Sequence, residues 1–183
     1  MSRVSDELNH PANRRIDRVL DDAFIEGLSD LPLDELRERR DECLAEREYL
    51  SLLRRLVQGR AEILQAELTG RGDDVDRAPI VERLDEILGS EERQGPGRGE
   101  AVRIGVPEDE MLLARRRVER LVADAGISDP EALDDARLTD AVELLTIEER
   151  KVSESRAAVI AALDTVQAEL KRRYKDDPSL ALT

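Results

Sequence analysis

The sequence predicts an all-α protein: two long helices forming an antiparallel coiled-coil-like pair, with short accessory helices and an internal duplication. Three observations carry this. First, the chain contains itself twice, 102 residues apart: laid over each other without a gap, 14–71 and 116–173 are identical at about 17 of 58 positions, and repeats are settled before any fold assignment. Second, each copy holds an aliphatic stripe at heptad spacing. Third, of 183 residues 39% are charged and 2% aromatic, with no Trp, a composition of long helices packed along thin seams rather than of a ring-rich core. No strand pattern competes with these signals.

The elements follow in order. Residues 1–11 read as a disordered tail that ends in Pro11. The first repeat covers 12–71. A short helix is predicted over 12–23, with Ile16, Val19 and Leu20 on one face, then a turn from Gly27 to Pro32 in which Ser29 and Asp30 are cap candidates. A long helix follows over 33–69, stopped by Gly70 as a left-handed C-terminal residue; at 1.5 Å per residue it spans roughly 55 Å. Leu36, Cys43, Leu50, Val57 and Leu64 stand one heptad apart, flanked by Leu53, Ala61 and Leu68, which is a coiled-coil-like seam. Cys43 falls on it and reads as a small buried hydrophobe. Gly59, inside this helix, costs about 1 kcal/mol relative to Ala.

A flexible linker spans 72–115, containing a short amphipathic helix at about 78–88 opened by Pro79. It continues as a Gly/Pro-rich stretch over 89–107, and the short helix of the second repeat starts at about 108 and ends near 125. The second repeat covers 116–176, with a long helix over 137–176 that stops before Pro178, and 177–183 form a tail. Its seam is Leu138, Leu145, Val152, Val159 and Val166, with Val142, Leu163 and Leu170 alongside. Each long helix carries one apolar seam, so the two most simply cover each other antiparallel. Both copies lie in one chain, which favours an intramolecular pair over a homodimer.

Composition excludes several function classes. A net charge of −14 opposes direct nucleic-acid binding, because neutralising phosphates needs basic excess; it suits a protein partner with a basic face. One cysteine rules out a disulfide framework and a multi-thiolate metal site. No apolar run approaches the roughly 18 residues of a membrane span and the N-terminus has no signal-peptide core, so a cytoplasmic protein is expected. A single His and no nucleophile–base arrangement leave no catalytic centre. The QGPGRG stretch (94–99) lacks the Lys-Ser/Thr and the preceding strand of a phosphate loop. Neither an enzyme nor a metal site is expected.

A polar line runs beside each seam. Ser51, Arg54, Gln58 and Glu62 are spaced three, four and four apart and share one face of the helix. In the second copy the line is Glu149, Ser153, Arg156, Ile160 and Asp164. A guanidinium there can donate to guanine O6 and N7 or stack on the base, while a carboxylate a turn or two away accepts from its N–H groups. By spacing alone the line is also what a solvated, salt-bridged flank of a coiled coil carries. Tyr49 and Tyr174 lie outside it and read as packing residues, and His10 receives no role.

The stretch LPLDELRERRDECLAEREYLSLLRRLVQGRAEIL (31–64), with TIEERKVSESRAAVIAALDTVQAELKRRY (146–174), resembles the RsiG family of actinobacterial anti-sigma factors. The resemblance extends over about 12–176 and is strongest at LLRRLVQGRAEIL and AELKRRY. It implies cyclic di-GMP held on an antiparallel helical pair through a repeated E-x3-S-x2-R-x3-Q-x3-D motif, and a WhiG-type sporulation sigma factor sequestered in the nucleotide-bound form. Carried over residue by residue, it implies ligand contacts from Ser51, Arg54, Gln58 and Glu62 in the first copy, and from Glu149, Ser153, Arg156 and Asp164 in the second. Three positions depart from the motif: Arg47 stands where the family has Glu, Glu62 where it has Asp, and Ile160 where it has Gln. The departures leave open a second reading, a constitutive coiled-coil adaptor or anti-sigma protein with a degenerate nucleotide site.

Overall fold

The computed structural model describes residues 11–71, 105–127 and 129–181. Most of the expected N-terminal tail, the 78–88 helix and most of the 89–107 stretch lie outside them. Within them the helices are α1 (Pro11–Val19), α2 (Asp22–Ile25), α3 (Leu33–Gly70), α4 (Glu108–Asp124) and α5 (Asp135–Asp176), with 3-10 turns at Leu28–Asp30, Pro130–Ala132 and Pro178–Ala181. No strand occurs among the described residues; the protein is all-α.

Local chemistry sets the boundaries and corrects several expectations. The single helix expected over 12–23 is two: Asp21 takes an extended conformation and its carboxylate accepts from the Ala23 N–H at 2.9 Å, so a new helix starts there. Ser29 and Asp30 are not caps of α3; they lie in the preceding 3-10 turn, entered through Gly27 at φ 62°, where a side chain would be strained. Gly70 is the last residue of α3 but is not left-handed. The left-handed glycine is instead Gly126, after α4. Gly126 N–H donates to Ala123 O, Ile127 N–H donates to Val122 O, and Ile127 is buried, a Schellman closure with its hydrophobic contact. α5 starts two residues earlier than expected because Asp134 accepts from the Arg137 N–H at 2.8 Å. Its end is followed not by a loose tail but by the turn Pro178–Ala181, held by Ser179 on the Asp177 carboxylate.

The chain forms two compact units, Met1–Leu50 with Glu154–Thr183, and Ser51–Ser153. The units do not follow the repeats, because each combines part of α3 with part of α5. In the first unit the segments run antiparallel: Arg37, near the start of α3, donates to the Tyr174 hydroxyl at 3.2 Å and to Leu180 O at 2.7 Å, near the end of the chain. In the second unit they also run antiparallel, with Arg71 at the end of α3 meeting Asp135 at the start of α5 at 3.1 Å. All ten heptad residues are at most 3% exposed. Each such aliphatic is worth roughly 1.5–3 kcal/mol when fully buried, so each unit closes on its own seam.

The duplication is visible in the contacts. In the second unit Arg71 donates to Glu67 and to the carbonyls of Pro130, Glu131 and Leu133. In the first, Arg173 donates to Glu169 and to the carbonyls of Leu28, Ser29 and Leu31. Every residue of one set is 102 positions from its counterpart. In each, an arginine at the end of one copy's long helix clasps the turn that precedes the other copy's long helix. The pair Arg15–Glu46 (2.6 Å) likewise has its counterpart in Arg117–Glu148 (2.9 Å).

Hydrogen bonds from Arg172 and Arg173 hold the Glu169 carboxyl at about 2, below its ordinary 4.5. A depressed carboxylate contributes stability that is present above about 4.5 and is lost as pH falls through about 2. NMR titration of the Glu169 side chain is expected to give a midpoint near 2, moving up toward its ordinary value in Arg173→Ala. A wild-type midpoint at the ordinary value would remove the clasp from solution.

Candidate functional site

The polar line brings residues of both copies together in the second unit. On α3, Arg54 stands at the edge of the seam, beside the buried Leu53 and Val57. Arg54 Nε stands 3.7 Å from Glu149 Oε1 on α5, and its Nη2 donates to Gln58 Oε1 at 3.5 Å. Ser153 Oγ donates to the Glu149 carboxylate at 2.8 Å. Ser51 and Glu62 are half-buried on the same helix as Arg54. The Arg54 and Glu149 side chains are 40% and 30% exposed. The unit thus offers a guanidinium donor, a carboxylate acceptor, a hydroxyl and an amide, all reachable from solvent.

In the first unit the corresponding residues are differently placed. Arg156 is half-buried. Asp164 is exposed and makes no ion pair or side-chain hydrogen bond among the described residues, so it is the least engaged of the predicted set. Arg47, the counterpart of Glu149, donates to Glu48 with Nε at 3.1 Å and Nη2 at 2.6 Å. The ion pair of one unit is therefore replaced by two guanidinium-bearing positions, Arg47 and Arg156, in the other. Ile160 occupies the position of Gln58 and is half-buried.

The remaining candidates are structural. Tyr49 is buried and Tyr174 receives the Arg37 hydrogen bond. Cys43 is fully buried, and burial pushes its thiol up to about 11, which removes the thiolate that reactivity needs. Among the described residues no group of three or more His, Cys, Asp or Glu side chains is placed to hold a metal ion, and no helix is long and apolar enough to cross a membrane.

Periodicity alone did not reveal the buried glutamates Glu46 and Glu67, nor the clasping arginines Arg71 and Arg173. A signal was present in the duplication, since Arg15, Glu46, Glu67 and Arg71 are all identical to the residue 102 positions on. Charged identities at positions flanking a seam mark structural ion pairs as readily as ligand contacts.

No curated protein matches the chain. Residues 22–88 match the family model described as RsiG-like, a match that takes in α2, all of α3 and the Ser51, Arg54, Gln58 and Glu62 line. Over this region the chain is similar to the RsiG-like family.

Proposed function

We propose that this protein is an anti-sigma factor that binds cyclic di-GMP through Ser51, Arg54, Gln58, Glu62, Glu149, Ser153, Arg156 and Asp164, and in that form sequesters a WhiG-type sigma factor in the cytoplasm. Similarity of residues 22–88 to the RsiG-like family supports the anti-sigma role. The observation that carries the ligand reading is the approach of Arg54 from one copy to Glu149 of the other, whose carboxylate also accepts from Ser153. The donor set fits a guanine nucleotide: the guanidinium can serve O6 and N7 or stack on the base, and the carboxylate can accept from N1–H and N2–H. The ion pair in place is part-exposed and worth no more than about 1 kcal/mol, so exchanging it for a ligand is cheap. The net charge of −14 suits the basic DNA-binding surfaces of a sigma factor, where complementarity speeds and orients association. On this reading no bond is made or broken.

Calorimetric titration of cyclic di-GMP into the full chain tests it. Arg54→Ala and Arg156→Ala are each expected to weaken binding about tenfold, the loss of one charge-assisted contact. The double variant is expected to show no binding and no nucleotide-dependent retention of a WhiG-type sigma factor. Absence of heat with wild type would overturn the reading.

One observation favours a second reading. The first unit has Arg47 and Ile160 where the motif asks for Glu and Gln, the pattern of a site that no longer binds. A constitutive adaptor of this kind would hold its sigma factor equally well with Arg54→Ala and without nucleotide.

A further inference from the structure

The second unit carries aliphatic side chains where the fold does not require them. Between α4 and α5 lies a groove of about 420 Å³ whose apolar lining is Leu121, Leu144 and Ile147, beside Asp140, Glu143, Glu148 and Lys151. Leu144 and Ile147 are 37% and 49% exposed. Asp140 and Leu144 also line the adjoining hollow, together with Ile127 and Leu133. Asp140, Leu144, Ile147 and Lys151 follow one another at four-, three- and four-residue spacing, so they form a single stripe on α5.

The duplication supplies an internal control. At the positions of Leu144 and Ile147 the first copy has Glu42 and Ala45. There the Glu42 carboxylate takes two hydrogen bonds from Arg18, at 3.0 and 2.6 Å, and the hollow beside it is lined by Phe24, Arg39 and the carboxylates of Asp17, Asp21, Glu35 and Glu38. The same helical repeat thus folds with a carboxylate and a small residue at these sites. Single exposed aliphatics need no explanation; a contiguous groove of them, present in one copy only, marks a contact surface.

Charge selects the occupant. Asp140 and Glu143 flank the aliphatic stripe and make no ion pair among the described residues. A second copy of this chain would bring a surface of net charge −14 against them, which like-charge repulsion opposes. We propose that the α4/α5 groove of the second unit docks an amphipathic helix of a protein partner. That helix would carry aliphatic anchors at i, i+3 or i+4 and i+7, with Lys or Arg along its flank. The surface uses none of the residues assigned to nucleotide, so the inference stands whether or not that reading holds.

Fluorescence anisotropy with a labelled synthetic helix of this pattern, leucine anchors flanked by lysine, tests it on the full chain. Saturable binding is expected, weakened tenfold or more by Leu144→Glu with Ile147→Ala. Those changes write the first copy's residues into the second and so suit the repeat, and circular dichroism checks that the variant is folded. The surface pair Asp140→Asn with Glu143→Gln is expected to weaken binding several-fold, and a peptide with glutamate in place of lysine tenfold or more. No saturable binding up to about 1 mM, the weak end of specific recognition, would overturn the proposal. So would unchanged affinity in the folded Leu144→Glu/Ile147→Ala protein, equal binding of the glutamate peptide, or a dimer in sedimentation velocity that this variant dissociates.

Discussion

Arg15→Leu is expected to destabilise the first unit by about 3 kcal/mol, whereas its counterpart Arg117→Leu costs the second unit no more than about 1 kcal/mol. Both remove the arginine of a pair that the duplication made twice. They differ in burial: the Arg15 and Glu46 side chains are 17% and 1% exposed, Arg117 and Glu148 42% and 18%. Removing one partner of a buried pair takes away much of what offsets the other charge's desolvation, while water replaces the partner of an exposed one. Replacing both, as in Arg15→Leu with Glu46→Leu, is expected to recover most of the loss, because well-packed apolar residues substitute for a buried pair at little cost. Urea unfolding with the slope held as a check on the unfolded state measures this. Equal losses from Arg15→Leu and Arg117→Leu would show that the burial difference does not persist in solution.

Removing a clasping arginine is expected to cost about 2 kcal/mol in either unit, by Arg71→Ala or Arg173→Ala, since hydrogen bonds from a charged donor are worth roughly 1.5–3 kcal/mol and those of one side chain do not add fully. Each guanidinium reaches three turn carbonyls and a carboxylate of its own helix at once, and Arg71 also reaches Asp135. Lysine keeps the charge but presents a point donor on a flexible stem, so Arg71→Lys and Arg173→Lys are expected to recover less than half. Hydrogen exchange should rise locally at 130–135 in the Arg71 variants and at 28–33 in the Arg173 variants. Full recovery by lysine would mean that charge alone holds these turns.

Much of the fold was legible because helix formation is local. Leu36, Cys43, Leu50, Val57 and Leu64, and their five counterparts, declare a buried stripe by spacing alone, and all ten are buried. The α1/α2 break was not legible, because it turns on Asp21 preferring to cap a new helix rather than continue the old one. Arg54 and Glu149 were recognisable as candidates from their own helices, but their approach to 3.7 Å was not. Asp164 was as recognisable, yet it lies exposed.

By itself the sequence determined the helices, their apolar seams and the duplication, since these follow from nearest-neighbour chemistry and from identity at a constant offset. The tertiary structure decided which residue of one copy meets which of the other: Arg54 with Glu149, Arg71 with the turn at Pro130, Arg173 with the turn at Leu28. A seam that repeats every seven residues looks the same after a slip of one heptad. Register is therefore chosen only when helix ends, turns and specific hydrogen bonds meet in three dimensions.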